Sequence, residues 1–266
     1  MFRPVNAADG VHRHSNFGVH FVTAKELYRA GKLNAAVQAL VAELRDNPAD
    51  TQRRVFLFEL LSFAGDYDRA EKQLNILAQA GPDALTGTLM YRAALAAERS
   101  RHDLFAKKDY PGAAAEAPAI RGTLNGKPFE SIEDADPRVG PRLEIFAAGQ
   151  YMWLPLGQMA SIEMEAPKRL RDLLWIPAVI CTGPAFKGQE LGEVMLPVLS
   201  PFSSRHSDDA VRLGRATVWE EPEDGDPVPL GMKMLLVDGE DIPILELRRL
   251  EITAAEEIPE RHAASE

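Results

Sequence analysis

A single cysteine in 266 residues, Cys181, leaves no partner for an intramolecular disulfide and no set of thiolates for zinc. It is expected to pack as a small hydrophobe. Long apolar runs are also missing: the longest, Leu173 to Cys181, is about half of the ~18 residues that cross a bilayer. The N-terminus has no apolar signal-peptide core. These absences predict a cytoplasmic chain without membrane insertion. Basic charge is in short supply as well. The net charge is −10, and residues 220–266 hold 14 acidic against 4 basic side chains, while the remainder holds 26 of each. Phosphate binding needs a basic face, so nucleic acid is excluded as the expected partner. The acidic segment reads as a solubilising, flexible tail.

What is present begins with 45% hydrophobic and 26% charged residues over a length that suits two modest domains. An internal repeat comes first. Leu27, Ala30, Gly31, Ala36, Leu40 and Pro48 recur as Leu61, Ala64, Gly65, Ala70, Leu74 and Pro82, each pair 34 residues apart. That is the tetratricopeptide (TPR) period, in which Gly permits the tight turn, Ala lets two helices approach, Leu fills their seam and Pro marks the break. Thr23 with Glu26, and Asp68 with Glu71, have the spacing of capping boxes that open helices. Val37, Leu40, Val41 and Leu44 follow the spacing of a one-faced helix, whereas Val55 to Phe63 is apolar nearly all round and should be buried. Gly81 and Pro82 are expected to end the fourth helix, and a fifth should run from about Leu85 to Phe105. At the next step Arg99 replaces the required Gly, so the array stops after two repeats and a closing helix.

Residues 111–118, small and proline-bounded, read as a linker. Beyond it, short apolar stretches at Leu143 to Phe146, Tyr151 to Leu156, Met159 to Met164, Leu173 to Cys181, Val194 to Leu199, Leu213 to Trp219 and Met232 to Val237 predict antiparallel strands. Asp238-Gly239 suits a type I′ hairpin turn, and Pro243 places the second strand of that hairpin at an edge or a start. The fold class is therefore α+β: a TPR-like helical domain at 21–110, then a mainly antiparallel β domain at 119–252, with flexible ends at 1–20 and 253–266.

Candidate chemistry is sparse. Gly122 to Lys127 has three residues between its glycines where a phosphate loop has four, and Pro128 stands in place of the magnesium-binding Ser/Thr. Asp134 and Asp136 are paired carboxylates, but Arg138 and Val139 break the calcium-loop pattern, and a turn or salt-bridge network is the better account. Ser203, Ser204, His206, Asp208 and Asp209 contain the residue types of a hydrolytic triad without its elbow. His12, His14 and His20 read as a frayed end. Trp153, Trp175 and Trp219 fall in expected strands as core or interface residues. Arg171 and Asp172 precede an apolar strand and are placed to orient a loop against the helical domain.

Four motifs in order carry a resemblance: Asp134-Ala-Asp-Pro-Arg-Val-Gly, Gly149-Gln-Tyr-Met-Trp-Leu-Pro, Pro167-Lys-Arg-Leu-Arg-Asp-Leu-Leu-Trp-Ile-Pro-Ala and Arg212-Leu-Gly-Arg-Ala-Thr-Val-Trp. With the helical half that contains Leu61-Ser-Phe-Ala-Gly-Asp-Tyr-Asp-Arg-Ala, the sequence over about residues 20–252 resembles the ImpE/TagJ family of type VI secretion accessory proteins. The resemblance implies a cytoplasmic, non-catalytic accessory protein, and the residues, which form no complete metal or catalytic set, predict no cofactor and no metal. The resemblance also implies binding of the N-terminal helix of the small contractile-sheath subunit and a link to the sheath-recycling ATPase.

The residues themselves converge on a binding module, since a two-repeat groove suits an amphipathic helix and nothing assembles a nucleophile, base and oxyanion donors. The candidate partner-binding residues are Tyr28, Phe56, Asp134, Asp136, Arg138, Trp153, Arg171, Asp172 and Trp175. Two alternatives stand beside this reading. One is a hydrolase-like enzyme whose Asp134 and Asp136 meet Arg171 in a deep polar pocket, and the other is a general TPR-like adaptor for an unrelated partner. Oligomeric state is left open.

Overall fold

Thr23 opens the helical half with the expected capping box: its Oγ accepts the Glu26 N–H at 3.3 Å, and Glu26 Oε2 accepts the Thr23 N–H at 2.8 Å. The computed structural model describes residues 22–111, 120–183, 190–222 and 225–253. The N-terminal segment 1–20, linker residues 112–118, tail residues 254–266 and the histidines His12, His14 and His20 lie outside them. Among the described residues the helical half comprises α1 (Ala24–Arg29), α2 (Leu33–Asp46), α3 (Thr51–Phe63), α4 (Tyr67–Leu77) and α5 (Pro82–Lys107).

The 34-residue register is visible in three dimensions. Gly31 and Gly65 turn with φ of +74° and +72°, a region that a side chain disfavours. Ala36 pairs with Ala70 and Leu40 with Leu74 as buried seam residues. Every residue of α3 from Leu57 to Phe63 is buried, which brings Glu59 and Ser62 inside with the apolar ones.

Two local expectations are corrected. The cap of α4 is Asp66, which accepts the Arg69 N–H at 3.3 Å. Asp68 and Glu71 instead receive Arg99 at 3.0 and 2.9 Å, so the residue that replaces the third glycine ties the closing helix to α4. Pro82 does not close the fourth helix but starts the fifth, at a position where its missing N–H is of no consequence.

The β half contains β1 (Gly122–Leu124), β2 (Lys127–Phe129), β3 (Ile132–Asp134), β4 (Arg142–Ala147), β5 (Gln150–Pro155), β6 (Met159–Glu163), β7 (Trp175–Thr182), β8 (Glu190–Pro197), β9 (Thr217–Glu220), β10 (Val228–Gly231), β11 (Met234–Val237), β12 (Glu240–Pro243) and β13 (Arg249–Ile252), with a short α6 (Asp209–Arg212). Among the described residues, eight strands form one antiparallel sheet in the order β2-β1-β13-β6-β7-β8-β4-β5. Small sheets β10-β9 and β12-β11-β3 complete the half. Asp238 (φ +50°) and Gly239 (φ +86°) make the expected hairpin turn, and β12 with Pro243 is an edge strand. Gly122 to Lys127 is a hairpin too, turned by Asn125-Gly126. Of the stretch Leu213 to Trp219, only Thr217 to Trp219 is strand, because Leu213 and Gly214 close α6.

Pleating sorts the sheet's side chains into two cores. Leu143 and Ile145 of β4, with Ile176, Ala178 and Ile180 of β7, face an apolar cluster within the β half. Phe146 and Trp175 face the other way and join the helical core around Phe58, Leu60 and Leu95. The halves are also bolted at their edges. Lys32 offers α2 no side-chain cap, and the Leu33 N–H is taken instead by Asp209 Oδ2 at 2.8 Å. Arg212 reaches Asn34 at 3.2 Å, and Arg215 donates to the Tyr28 carbonyl at 2.8 Å with its guanidinium 4.9 Å from the Tyr28 ring.

Candidate partner-binding site

Two sites emerge from this packing, an open groove and a closed network. Stacked helical repeats create concave surfaces, and here α1 and α3 flank a groove of about 600 Å³. Its walls include Tyr28, Leu40, Arg53, Phe56 and Glu59, and Leu170 of the β half also lines it. Tyr28 and Phe56 meet edge to face with centroids 5.8 Å apart, a stable aromatic arrangement that leaves both rings half-buried. Arg53 is shared between Glu43, at 3.0 Å, and Asp50, which also caps α3.

Glu59, deeper in the groove, is less well served. Its ion pair with Arg171 spans 4.0 Å, because the Arg171 guanidinium lies 4.6 Å from the centre of the Tyr91 ring. Burial pushes the Glu59 carboxyl up to about 7, against the pull of Arg171 and with a further push from Asp172. Arg171 sits in a 3₁₀ turn, Leu170–Leu173, which Asp172 fastens by accepting the Lys168 and Arg169 N–H groups, each at 2.8 Å. On the far side of that turn is a second hollow of about 610 Å³, with Met90, Met164, Arg169, Val179 and Arg248 among its walls.

The closed network lies between α5 and the sheet. Arg101 donates to Glu144 of β4 at 2.7 and 2.9 Å and to Glu98 at 3.1 Å. Lys233 bridges Glu144, at 2.5 Å, and Asp134. Asp134 accepts the Asp136 N–H at 2.9 Å, and Asp136 holds Arg138 through two bonds of 2.8 and 2.6 Å. Trp175 Nε1 donates to Glu98 at 3.0 Å. The side chains of Arg101, Glu144, Lys233 and Asp134 are 0–2% exposed, so each charge depends on its partners rather than on water. Burial alone would raise Glu98, yet Arg101, His102 and Trp175 hold it down at about 2. For Asp134, burial wins over Lys233 and lifts it to about 6.

The nine candidate residues therefore separate. Tyr28 and Phe56 line the groove, and Arg171 reaches Glu59 at its floor. Asp172 anchors the adjoining turn. Asp134, Asp136 and Arg138 are inside the network, and Arg171 is not among their partners. Trp175 packs on Phe58 in the shared core. Trp153, half-buried, stacks on Tyr110 at 6.0 Å with Arg142 on its ring at 4.5 Å. Trp219 departs from its expected core role, being 43% exposed beside a hollow with Pro141, Pro227 and Leu236. The polar loop is structural in its contacts: Ser203 Oγ bonds the Ser200 carbonyl at 2.6 Å, and Asp208 caps α6. Among the described residues no group of three or more His, Cys, Asp or Glu is placed to hold a metal ion, and no helix is long and apolar enough to cross a membrane.

Sequence reasoning passed over Glu59, whose only signal was a charge inside the apolar run Val55 to Phe63. It also passed over Arg101, Glu144 and Lys233, which carry no local signal at all.

A short helical-repeat unit fused to an antiparallel sheet, with an open groove on the helical side and an ionic network buried between the halves, is the class of architecture that the chain presents. The ImpE protein family matches residues 126–251. The chain is 33% identical over 261 residues to the type VI secretion system accessory component TagJ of Pseudomonas aeruginosa, with 86% of this chain and 90% of that protein covered. A protein of Vibrio parahaemolyticus solved by crystallography shares the fold, with a TM-score of 0.75 and 24% identity over 88% of this chain and 98% of that one. The chain belongs to the ImpE/TagJ family of type VI secretion accessory components.

Proposed function

We propose that this chain is a non-catalytic adaptor of a type VI secretion system, working in the cytoplasm, that holds the N-terminal helix of the small contractile-sheath subunit in the α1–α3 groove and so links the sheath to its recycling ATPase. The observation that carries the reading is the groove itself: an aromatic pair, Tyr28 and Phe56, with Leu170 nearby, offers apolar anchoring positions beside charged walls. An amphipathic helix is the ligand that such a surface fits, through anchors repeating every three to four residues. Family membership supports the secretion role, and the pairing of the buried carboxylates supports a structural rather than a chemical use for them.

The test is a titration of a synthetic peptide of that sheath-subunit helix into the full chain. A few anchors offset by side-chain ordering give micromolar affinity, on the order of −8 kcal/mol. Phe56→Ala should weaken binding by at least tenfold, as expected of a central aromatic anchor. No binding up to about millimolar peptide would refute the sheath role. Binding that ignores Phe56→Ala and Tyr28→Ala alike would keep the partner and move it to the β half.

A further inference from the structure

Resting on the groove reading above, we infer that Glu59 selects the occupant: the bound helix carries a lysine or arginine one turn away from the apolar side chain that packs on Tyr28 and Phe56.

Charge pairing inside the groove is uneven. Of its acidic residues, Glu43 is bonded to Arg53 at 3.0 Å and to the Ala24 N–H at 2.9 Å, while Asp50 pairs with Arg53 and accepts its N–H at 2.9 Å. These two are satisfied within the chain. Glu59 is not to the same degree: it is 7% exposed and lines the groove, and although the Arg171 backbone N–H and the charge of Arg169 also favour its carboxylate, its paired guanidinium stands at 4.0 Å, turned onto Tyr91. An enclosed carboxylate whose cation stands only at the edge of ion-pairing distance is costly to the fold, and a ligand cation that approaches more closely recovers part of that cost on binding. This is how a polar group at the floor of an apolar groove gives specificity: the correct occupant pairs with it, and an occupant lacking the charge leaves it desolvated.

Spacing supplies the rest. Phe56 and Glu59 are three residues apart on α3, and therefore one turn, about 5 Å, along the groove. A helix lying alongside α3 matches this with an apolar residue and a base at i and i+3 or i+4. Arg29 and Lys25, at the α1 side of the same groove, are exposed and offer the complementary sign to an acidic residue on the helix's opposite edge.

The inference is tested with the sheath-helix peptide and versions of it in which each Lys or Arg in turn is replaced by Gln, titrated into the full chain and into Glu59→Gln. One replacement should weaken binding to the unaltered chain by roughly tenfold or more and binding to Glu59→Gln by less than about twofold. Glu59→Lys should lose the peptide and regain it when the same basic residue of the peptide becomes Glu, a rescue that a merely misfolded variant does not show. If the unsubstituted peptide binds and every Gln replacement acts equally on the unaltered chain and on Glu59→Gln, Glu59 has no part in recognition and the inference falls while the groove stands. If the unsubstituted peptide fails to bind at all, the groove reading falls and takes this inference with it.

Discussion

Gly65 and Ser204 are packed so closely that a β-carbon on the glycine would lie 2.5 Å from the serine Oγ and 2.9 Å from its Cβ. The turn residue of the second repeat is thus also a point where the helical half touches the β half. Gly65→Ala must strain φ at +72° and displace Ser204. Gly31→Ala meets the same strain at +74°, but with Arg215 Nη1 3.5 Å away. The first should cost roughly 1–3 kcal/mol for the backbone plus a packing loss, and the second the backbone share alone. Urea melts of the two variants compare them directly, and equal losses would show that Ser204 yields without cost.

Leu74 and Ile76 are two residues apart on α4 and lie in opposite environments, 1% and 43% exposed. Leu74→Ala should lose about 2–5 kcal/mol, through burial and the cavity left behind. Ile76→Ala should change stability by no more than about 0.5 kcal/mol. A Leu74→Ala loss below about 0.5 kcal/mol in denaturant melts would place that side chain outside the repeat seam.

Acid should weaken the interface network through Glu98 and Glu144, whereas Asp134, raised to about 6 by burial, does not add to that loss. Glu98 is held at about 2 against an ordinary 4.5, and Glu144 is lowered as well, burial being outweighed in both by Arg101 and further partners. A depressed carboxylate contributes stability that is fully present above its unfolded pKa and lost as pH falls through the folded one. Unfolding free energy should therefore decline from about pH 4.5 toward 2, and Glu98→Gln should flatten that decline. Arg101→Leu, which strips the shared cation from both carboxylates, should cost about 3–5 kcal/mol at neutral pH. Thermal melts across pH 2–7 would read both effects; a Glu98→Gln profile as steep as that of the unaltered chain would contradict the assignment.

Glu59 predicts the opposite slope. Its carboxyl is raised from 4.5 to about 7, with burial the leading cause, so the folded state favours the protonated form. Its charge weighs on folding fully above pH 7, and not at all once the pH has dropped below 4.5. Glu59→Gln should therefore melt at a higher temperature than the unaltered chain at pH 8 and at the same temperature near pH 4. A variant less stable at pH 8 would mean that Arg171 at 4.0 Å compensates the charge after all.

The helical half was legible because its information is periodic. Leu40 with Leu74 and Gly31 with Gly65 recur at one spacing, and a repeat imposes the same environment on both members of a pair. Asp238-Gly239 was legible because its turn demands positive φ at both residues, and Asn125-Gly126 carried the same signal unread. The strand order was not legible: β13 enters between β1 and β6, a choice made by which apolar faces meet in space. The ionic network was hidden for a like reason. Arg101 finds Glu144 43 residues on, and Lys233 finds Asp134 across 99, so neither residue's neighbours in the chain announce its partner. Of the groove, Tyr28 and Phe56 were picked out, but Glu59 sat in an apolar run and was passed over. At α4, Asp68 and Glu71 matched a capping pattern that Asp66 pre-empted two residues earlier.

The bond from the Leu33 N–H to Asp209 spans 176 residues of chain, and it has a consequence in time. At about 5–20 residues per second, synthesis leaves roughly 10–35 s between the emergence of α2 and that of the carboxylate that caps it. Throughout that interval the first repeat has every residue of its own helices and still lacks the lock on the start of α2. A nascent chain halted before residue 209 would carry an α2 whose first turn is free to fray, so the order of translation makes the start of that helix one of the last parts of the molecule to set.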